Sequence, residues 1–358
     1  MEKRSSNANL HKANKAKKDE FYTQLVDIEK ELKHYKEQFR DKVVYCNCDD
    51  PFESNFFKYF ASNFNALSLK KIIATSYKPS PIANTEIILQ PSLFPSYEDK
   101  IVSKPTETKG RPKVTANKFI INEVSDLDGD GAFDLRDIAE QLKANKNNEW
   151  SPLKGEGDFR SDESVELLKQ ADIVVTNPPF SLFIEYILQL TEYDKKFLII
   201  GNTNAITYKE VFKLIKDDNL RTGYTNFNVG MFFEVPNDWE QYHHIDKNGK
   251  KIARVSTSCW FTNLEVEKHK QDIVLYKKYN PENYPKYDNY DGIEVSKVQE
   301  IPMDYKGAMG VPITFVDKYN PDQFEIIKFR KGNDEKDLCI NGKCPYFRIL
   351  IKNKKPQK

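Results

Sequence analysis

The chain has 358 residues, 39% hydrophobic and 30% charged, with 23 phenylalanines, 19 tyrosines and a net charge of +1. It is too aromatic for a disordered chain and too polar for a membrane one, and its length suits one large domain or two modest ones. No apolar run approaches the ~20 residues of a membrane span, the start lacks a signal's apolar stretch, and five cysteines argue against a disulfide framework, which together predict a reducing, cytoplasmic setting.

Residues 1–18 carry six Lys or Arg against the single acid Glu2 and show no apolar period, which predicts a basic flexible arm. From Phe21 to Phe39, Leu25, Ile28, Leu32 and Tyr35 recur at helical steps. A strand is expected at Val43–Tyr45, then the acidic turn Asn47 to Pro51, a helix over 54–67 and a second strand over 70–77. Strand, helix and strand in succession are the sign of a parallel α/β sheet.

Between about 78 and 155 the pattern loosens into an insertion, broken by a strand over 119–124 and a helix over 135–145. Alternation resumes with a helix over 162–170, strand 173–176, helix 181–191, strand 197–201 and helix 207–216. Beyond Leu220 shorter aromatic strands are expected at 227–235, 258–264 and 273–276, with loops and edge strands over 279–290. The last sixteen residues hold six more cations and no acid, so both ends of the chain suit a polyanion.

The tetrapeptide Asn177-Pro178-Pro179-Phe180 directly follows a strand that reads as buried. Ligands of open α/β sheets bind outside the carboxyl ends of the strands, so these residues fall where reactions are performed. An Asn oxygen and a carbonyl presented by a stiff Pro-Pro unit can each accept a hydrogen from one NH2 group, and Phe can stack on the attached base. These parts suit an amino-group methyltransferase; a proline-stiffened turn is the plainer reading of the same four residues.

The run Val174 to Phe183 around this tetrapeptide resembles the catalytic motif of amino-methylating DNA methyltransferases. With Asp19 to Thr23, Val43 to Pro51, Gly157 to Ser161 and Gly310 to Phe315, the chain resembles the EcoRI-type adenine-specific DNA methyltransferase family over nearly its whole length. The resemblance is weakest over 78–150 and 222–257, where target-reading loops are sought.

The resemblance implies a Rossmann-like sheet that uses S-adenosylmethionine (AdoMet), with inserted and C-terminal target-recognition segments. Residues 19–220 would form the catalytic domain and 221–358 the DNA-binding region. Asn177, Pro178, Pro179 and Phe180 would be catalytic. Phe21, Tyr22 and Thr23 would lie beside the methionine part of AdoMet, and Asn47, Asp49 and Asp50 would form its binding turn. Asp158 and Phe159 would meet its adenine. The turn lacks the usual Gly-rich sequence, which AdoMet, having no phosphates, does not require. An acid for the ribose hydroxyls is also missing, leaving Thr75 or Ser76. Alone, Asp-Asp-Pro is an ordinary turn, and Gly-Asp before a helix capped by Ser161 is another. Asn202, ending a strand, is a common turn residue.

The implied activity is N6-methylation of a flipped adenine in double-stranded DNA, within a restriction-modification system and at GAATTC, by a monomer acting beside a restriction endonuclease. Alternatives are methylation of cytosine N4 or a protein glutamine, or a binding module for DNA or calcium without turnover. No catalytic metal is expected. Asp126, Asp128, Asp130, Gly131, Asp134 and Asp137 have the spacing of a calcium loop, but an Asp/Gly turn needs no metal. Cys46, Cys48, Cys339 and Cys344 are poorly spaced for zinc, and His243-His244 reads as a surface loop.

Overall fold

The computed structural model describes residues 22–48, 54–76, 116–125, 147–235, 239–330, 338–344 and 348–357, and the backbone of 85–90 and 100–105. The basic arm, Phe21, Asp49, Asp50, the Asp126 to Asp137 segment and the helix expected over 135–145 lie outside the described residues. The chain is mixed α/β and divides into two units, Met1–Gly201 with Gly230–Ser258, and Asn202–Val229 with Cys259–Lys358.

In the first unit, Lys196–Asn202, Ile173–Thr176, Val43–Cys46 and Lys71–Thr75 lie side by side in that order, all parallel. Asn117–Ile121 and Glu149–Pro152 continue the sheet antiparallel. The central strands are buried on both faces, which explains their unbroken apolar runs (Val43-Val44-Tyr45-Cys46, Ile173-Val174-Val175-Thr176). From Val43–Cys46 the chain first builds the neighbour Lys71–Thr75 on one side. After the insertion it returns with Ile173–Thr176 on the other side, so the order reverses between Val43–Cys46 and Ile173–Thr176. Such a switch opens a crevice at the carboxyl ends of the two strands.

The helices of this unit are eight to ten residues long, too short to stand alone in water, and are held by what they bury. Asn55–Ser62 buries Phe56, Phe57, Tyr59 and Phe60, and Phe183–Glu192 buries Phe183, Tyr186, Ile187 and Leu190, an i, i+3, i+4, i+7 stripe. Asp162–Gln170 starts as its sequence predicts, the Ser161 hydroxyl accepting from the Ser164 N–H at 3.2 Å.

Several expectations are corrected. The helix expected over 21–39 is confined to Leu25–Leu32, followed by a 3-10 turn over Lys36–Phe39. Tyr22–Thr23 is instead an edge strand, paired with Glu234 and Phe233 of Met231–Val235, because it completes an antiparallel sheet with Lys251–Val255 and His244–Ile245. The helix over 54–67 ends at Ser62, and the strand expected over 227–235 starts only at Met231. The insertion contains an antiparallel pair, Thr85–Gln90 with Lys100–Pro105.

In the second unit, Ile273 to Tyr276 is not a strand: the Gln323 side-chain amide takes both backbone groups of Ile273, at 2.6 and 2.8 Å, in place of a strand neighbour. The main sheet of this unit runs in the order Gly292–Glu294, Ala308–Pro312, Arg348–Asn353, Phe324–Arg330 over a core that includes Ile293, Met309, Phe315 and Ile349. Glu294, which is buried, and Arg348, which is partly so, form an ion pair at 2.6 Å within it. Cys339 and Cys344 are joined in a disulfide, one pair that the expectation of no disulfide framework did not foresee, and this removes two of the four thiols considered for zinc. His243 and His244 are exposed, as expected, His244 on a two-residue edge strand. Among the described residues no cluster of three His, Cys, Asp or Glu side chains is placed to hold a metal, and no helix is long and apolar enough to cross a membrane.

Candidate active site

Asn47 and Asn177 each leave the carboxyl end of one of the two strands that flank the switch point. Asn47 is held from both ends. Its carbonyl accepts from the Thr176 hydroxyl, the residue before Asn177, and its side-chain oxygen accepts from the Tyr186 hydroxyl. Cys48 follows with φ 76°, a left-handed conformation that few non-glycine residues adopt outside turns and functional sites.

Asn177 is 6% exposed and its Oδ1 is shielded from solvent, whereas Pro179 and Phe180 are half-buried. The Pro179 carbonyl accepts from the Leu182 N–H at 2.9 Å, starting the turn that leads into helix Phe183–Glu192. The Phe180 ring meets Phe233 edge-on, with centroids 6.3 Å apart. Phe233 is fully buried and pairs across the sheet with Thr23, so its ring joins the edge strand carrying Tyr22 and Thr23 to the 177–180 tetrapeptide.

Thr23 is 2% exposed; its carbonyl accepts from the Asn55 amide at 2.7 Å, and its buried hydroxyl oxygen has no hydrogen-bond partner among the described residues. A buried hydroxyl without a partner costs free energy, so it marks a place where a polar ligand atom would be favourable.

The third loop begins at Gly157, whose φ of +77° and whose approach to the Ser76 carbonyl leave no room for a side chain. Phe159 follows, 7% exposed, its ring edge-on to Tyr186 at 4.9 Å and its carbonyl accepting from the Gln189 amide at 3.0 Å. Both oxygens of Asp158 accept from the Arg160 guanidinium, at 3.0 and 2.7 Å, and Arg160 also pairs with Glu185 at 2.9 Å. Burial would raise the Asp158 pKa, but the Arg160 hydrogen bonds and charge outweigh it and hold the carboxyl below its usual range. Burial pushes the Tyr186 hydroxyl well above its ordinary value, so it remains a donor toward Asn47.

Tyr186 thus touches Asn47 and Phe159, which lie in two of the three segments expected to bind the cofactor, from the helix that follows the 177–180 tetrapeptide. Phe233, Tyr186, Arg160 and Gln189 were not singled out in the sequence. A hydroxyl in the apolar stripe of the 183–192 helix was the available signal for Tyr186, since a buried tyrosine needs a partner. The weaker candidates are engaged elsewhere. Thr75 bonds Tyr45 at 3.1 Å, the Ser76 hydroxyl accepts from the Asn117 N–H at 2.8 Å, and Asn202 caps the 3-10 turn after its strand by accepting from the Asn204 N–H at 2.9 Å.

The set fits AdoMet in kind: a buried polar acceptor at Thr23, a fixed amide at Asn47, and a carboxylate beside an aromatic ring at Asp158 and Phe159.

Residues 9–354 match the family model described as adenine-specific methyltransferase EcoRI. The Type II methyltransferase M.EcoRI of Escherichia coli is 50% identical over 363 aligned residues that cover all of both chains. The Type II methyltransferases M.MgeORF184P of Mycoplasma genitalium and M.MpnI of Mycoplasma pneumoniae are each 37% identical, covering 96% of this chain and 98% of their own. No solved structure matches the chain.

Proposed function

The chain belongs to the EcoRI-type adenine-specific methyltransferase family, and from that premise we propose that Asn177 to Phe180 carry out N6-methylation of adenine in duplex DNA. The enzyme is an adenine-specific Type II DNA methyltransferase. The observation that carries the assignment of its site is the buried Asn177 at the carboxyl end of a parallel strand beside the switch point, with Phe180 half-buried next to it.

A stacked base cannot reach a pocket at a sheet edge, so the adenine is flipped out at a cost of a few kcal/mol. Phe180 stacks on it, its own edge steadied by Phe233. Asn177 Oδ1 and the Pro178 carbonyl accept the two N6 hydrogens. The nitrogen lone pair, otherwise delocalised into the ring, is thereby turned toward the methyl group to be transferred. Holding the reacting atoms in line lowers the barrier by up to about 7–11 kcal/mol. AdoMet, when bound, supplies a methyl group on a positively charged sulfur that is a good leaving group.

Tyr22 and Thr23 would hold its methionine part together with Phe21, Asn47 would belong to its binding turn with Asp49 and Asp50, and Asp158 and Phe159 would hold its adenine. The parallel order Lys196–Asn202, Ile173–Thr176, Val43–Cys46, Lys71–Thr75 supports the Rossmann-like reading of the sheet. We further propose 221–358 as the target-reading and DNA-binding region, GAATTC as the site, action as a cytoplasmic monomer, and a partner endonuclease that cuts the same sequence.

Asn177→Ala tests the assignment. It is expected to keep AdoMet binding and to lose transfer of labelled methyl to DNA; turnover comparable to the wild type would remove Asn177 from the mechanism.

A further inference from the structure

Resting on the reading above, a second question is which side chains read the DNA sequence. Two cavities of about 450 and 430 Å³ lie within the second unit and share Val298, Gln299, Asp317 and Lys318, so they form one continuous groove. Asn228 and Gln299 project from its wall, both exposed, and Thr314 adds a hydroxyl. Farther along, Val274 and Tyr276 line the groove while 83% and 62% exposed, unusual for such large apolar side chains.

The charges of the groove are sorted. Asp317 is held by Lys268 at 2.6 Å and Asp272 by Lys355 at 3.3 Å, while Lys297 has only a 3.5 Å surface contact with Glu300. Lys318 is exposed and has no acidic partner among the described residues. The groove therefore offers amides, exposed apolar groups and a cation that the protein does not neutralise.

We infer that this groove is a sequence-reading surface for duplex DNA, in which Asn228 and Gln299 read A·T pairs and Lys318 holds a phosphate. An Asn or Gln amide matches the adenine N6 and N7 edge with two hydrogen bonds, and apolar side chains match the thymine methyl group. A lysine without an acid partner suits the sequence-independent backbone contact. Asn228 sits on a turn in which Asn226, Asn228 and Gly230 all have positive φ, and which is closed by the Val229 N–H to the Asn226 carbonyl at 3.0 Å, so its amide is carried on a defined bend.

The test compares wild type with Asn228→Ala, Gln299→Ala and Lys318→Ala. The substrates are a duplex carrying the site mapped for the wild type and duplexes with one base pair of that site replaced. Loss of a bidentate base contact is expected to reduce discrimination at one A·T position by roughly 5- to 150-fold in kcat/KM, with AdoMet affinity unchanged. Lys318→Ala is expected to weaken the mapped and altered duplexes alike and to reduce the slope of log affinity against log salt by about 1. Undiminished discrimination in both amide variants overturns the inference, as does an unchanged salt slope in Lys318→Ala. A wild type that methylates no duplex would overturn the functional reading instead.

Discussion

Tyr186→Phe isolates one hydroxyl at the centre of the site. The ring is fully buried and still packs on Phe159 after the change, so what is removed is the donor to Asn47 Oδ1. Asn47 is only 5% exposed, and water replaces that donor poorly. Leaving a buried acceptor unsatisfied costs about 1–3 kcal/mol. If Asn47 belongs to the cofactor turn, most of this cost appears as misorientation of the turn, and AdoMet affinity falls by roughly 5- to 150-fold. Titration calorimetry with AdoMet, with kcat measured at saturating AdoMet and DNA, separates the outcomes. A raised AdoMet Kd with kcat within about threefold of wild type is expected, because transition-state contacts are untouched. A folded variant with unchanged AdoMet affinity would refute the reasoning and leave Tyr186 as an ordinary core tyrosine.

Other consequences follow from the same geometry. Thr23→Val replaces a buried hydroxyl that lacks a partner among the described residues, so the cofactor-free thermal midpoint is expected to hold or rise while AdoMet affinity falls. Arg160→Ala removes both guanidinium donors and their charge from Asp158, leaving only the backbone N–H of residue 160, at 2.9 Å, to oppose the burial that raises its pKa. A carboxyl with a depressed folded pKa contributes above its unfolded value and loses that contribution only as pH falls through the lower folded one. The variant should therefore lose AdoMet affinity at a higher pH than wild type, which binding measured from pH ~7 down to ~4 detects. Gly157→Ala forces a side chain into a positive φ and against the Ser76 carbonyl. A loss of at least about 1–2 kcal/mol of stability is expected in chemical denaturation, with weaker AdoMet binding.

The parallel sheet was legible because its central strands are buried on both faces and therefore run apolar without interruption, and Val43–Cys46, Ile173–Thr176 and Lys196–Asn202 are each followed by a helix with its own stripe. The place of Asn177 was legible for the same reason, since it directly follows such a strand, and the end of such a strand is where an open sheet binds its ligand. Tyr22–Thr23 was not: a two-residue edge strand has no period, and only its pairing with Phe233, more than two hundred residues away, makes it one. The sheet of Gly292–Glu294, Ala308–Pro312, Phe324–Arg330 and Arg348–Asn353 was also missed. Its strands carry Gly310, whose missing side chain makes room for the Tyr287 hydroxyl, and Glu294 and Arg348, whose charges read as exposed yet are largely withdrawn from solvent as a pair. The roles of Arg160 and Tyr186 depend on contacts between loops that the sequence spacing does not encode. The residues alone showed Asp158 only as a Gly-Asp turn, its cofactor role being implied by the resemblance, and its pairing with Arg160, itself paired with Glu185, was not encoded in the spacing.

The most direct test of the central claim is transfer of labelled methyl from AdoMet to unmodified DNA by wild type and by Asn177→Ala, with the modified nucleosides separated and their positions mapped. The account predicts N6-methyladenine confined to one short sequence with the wild type, and no product from a variant that still binds AdoMet. Methylation of cytosine N4 would overturn the acceptor, and full activity of Asn177→Ala would contradict the mechanism.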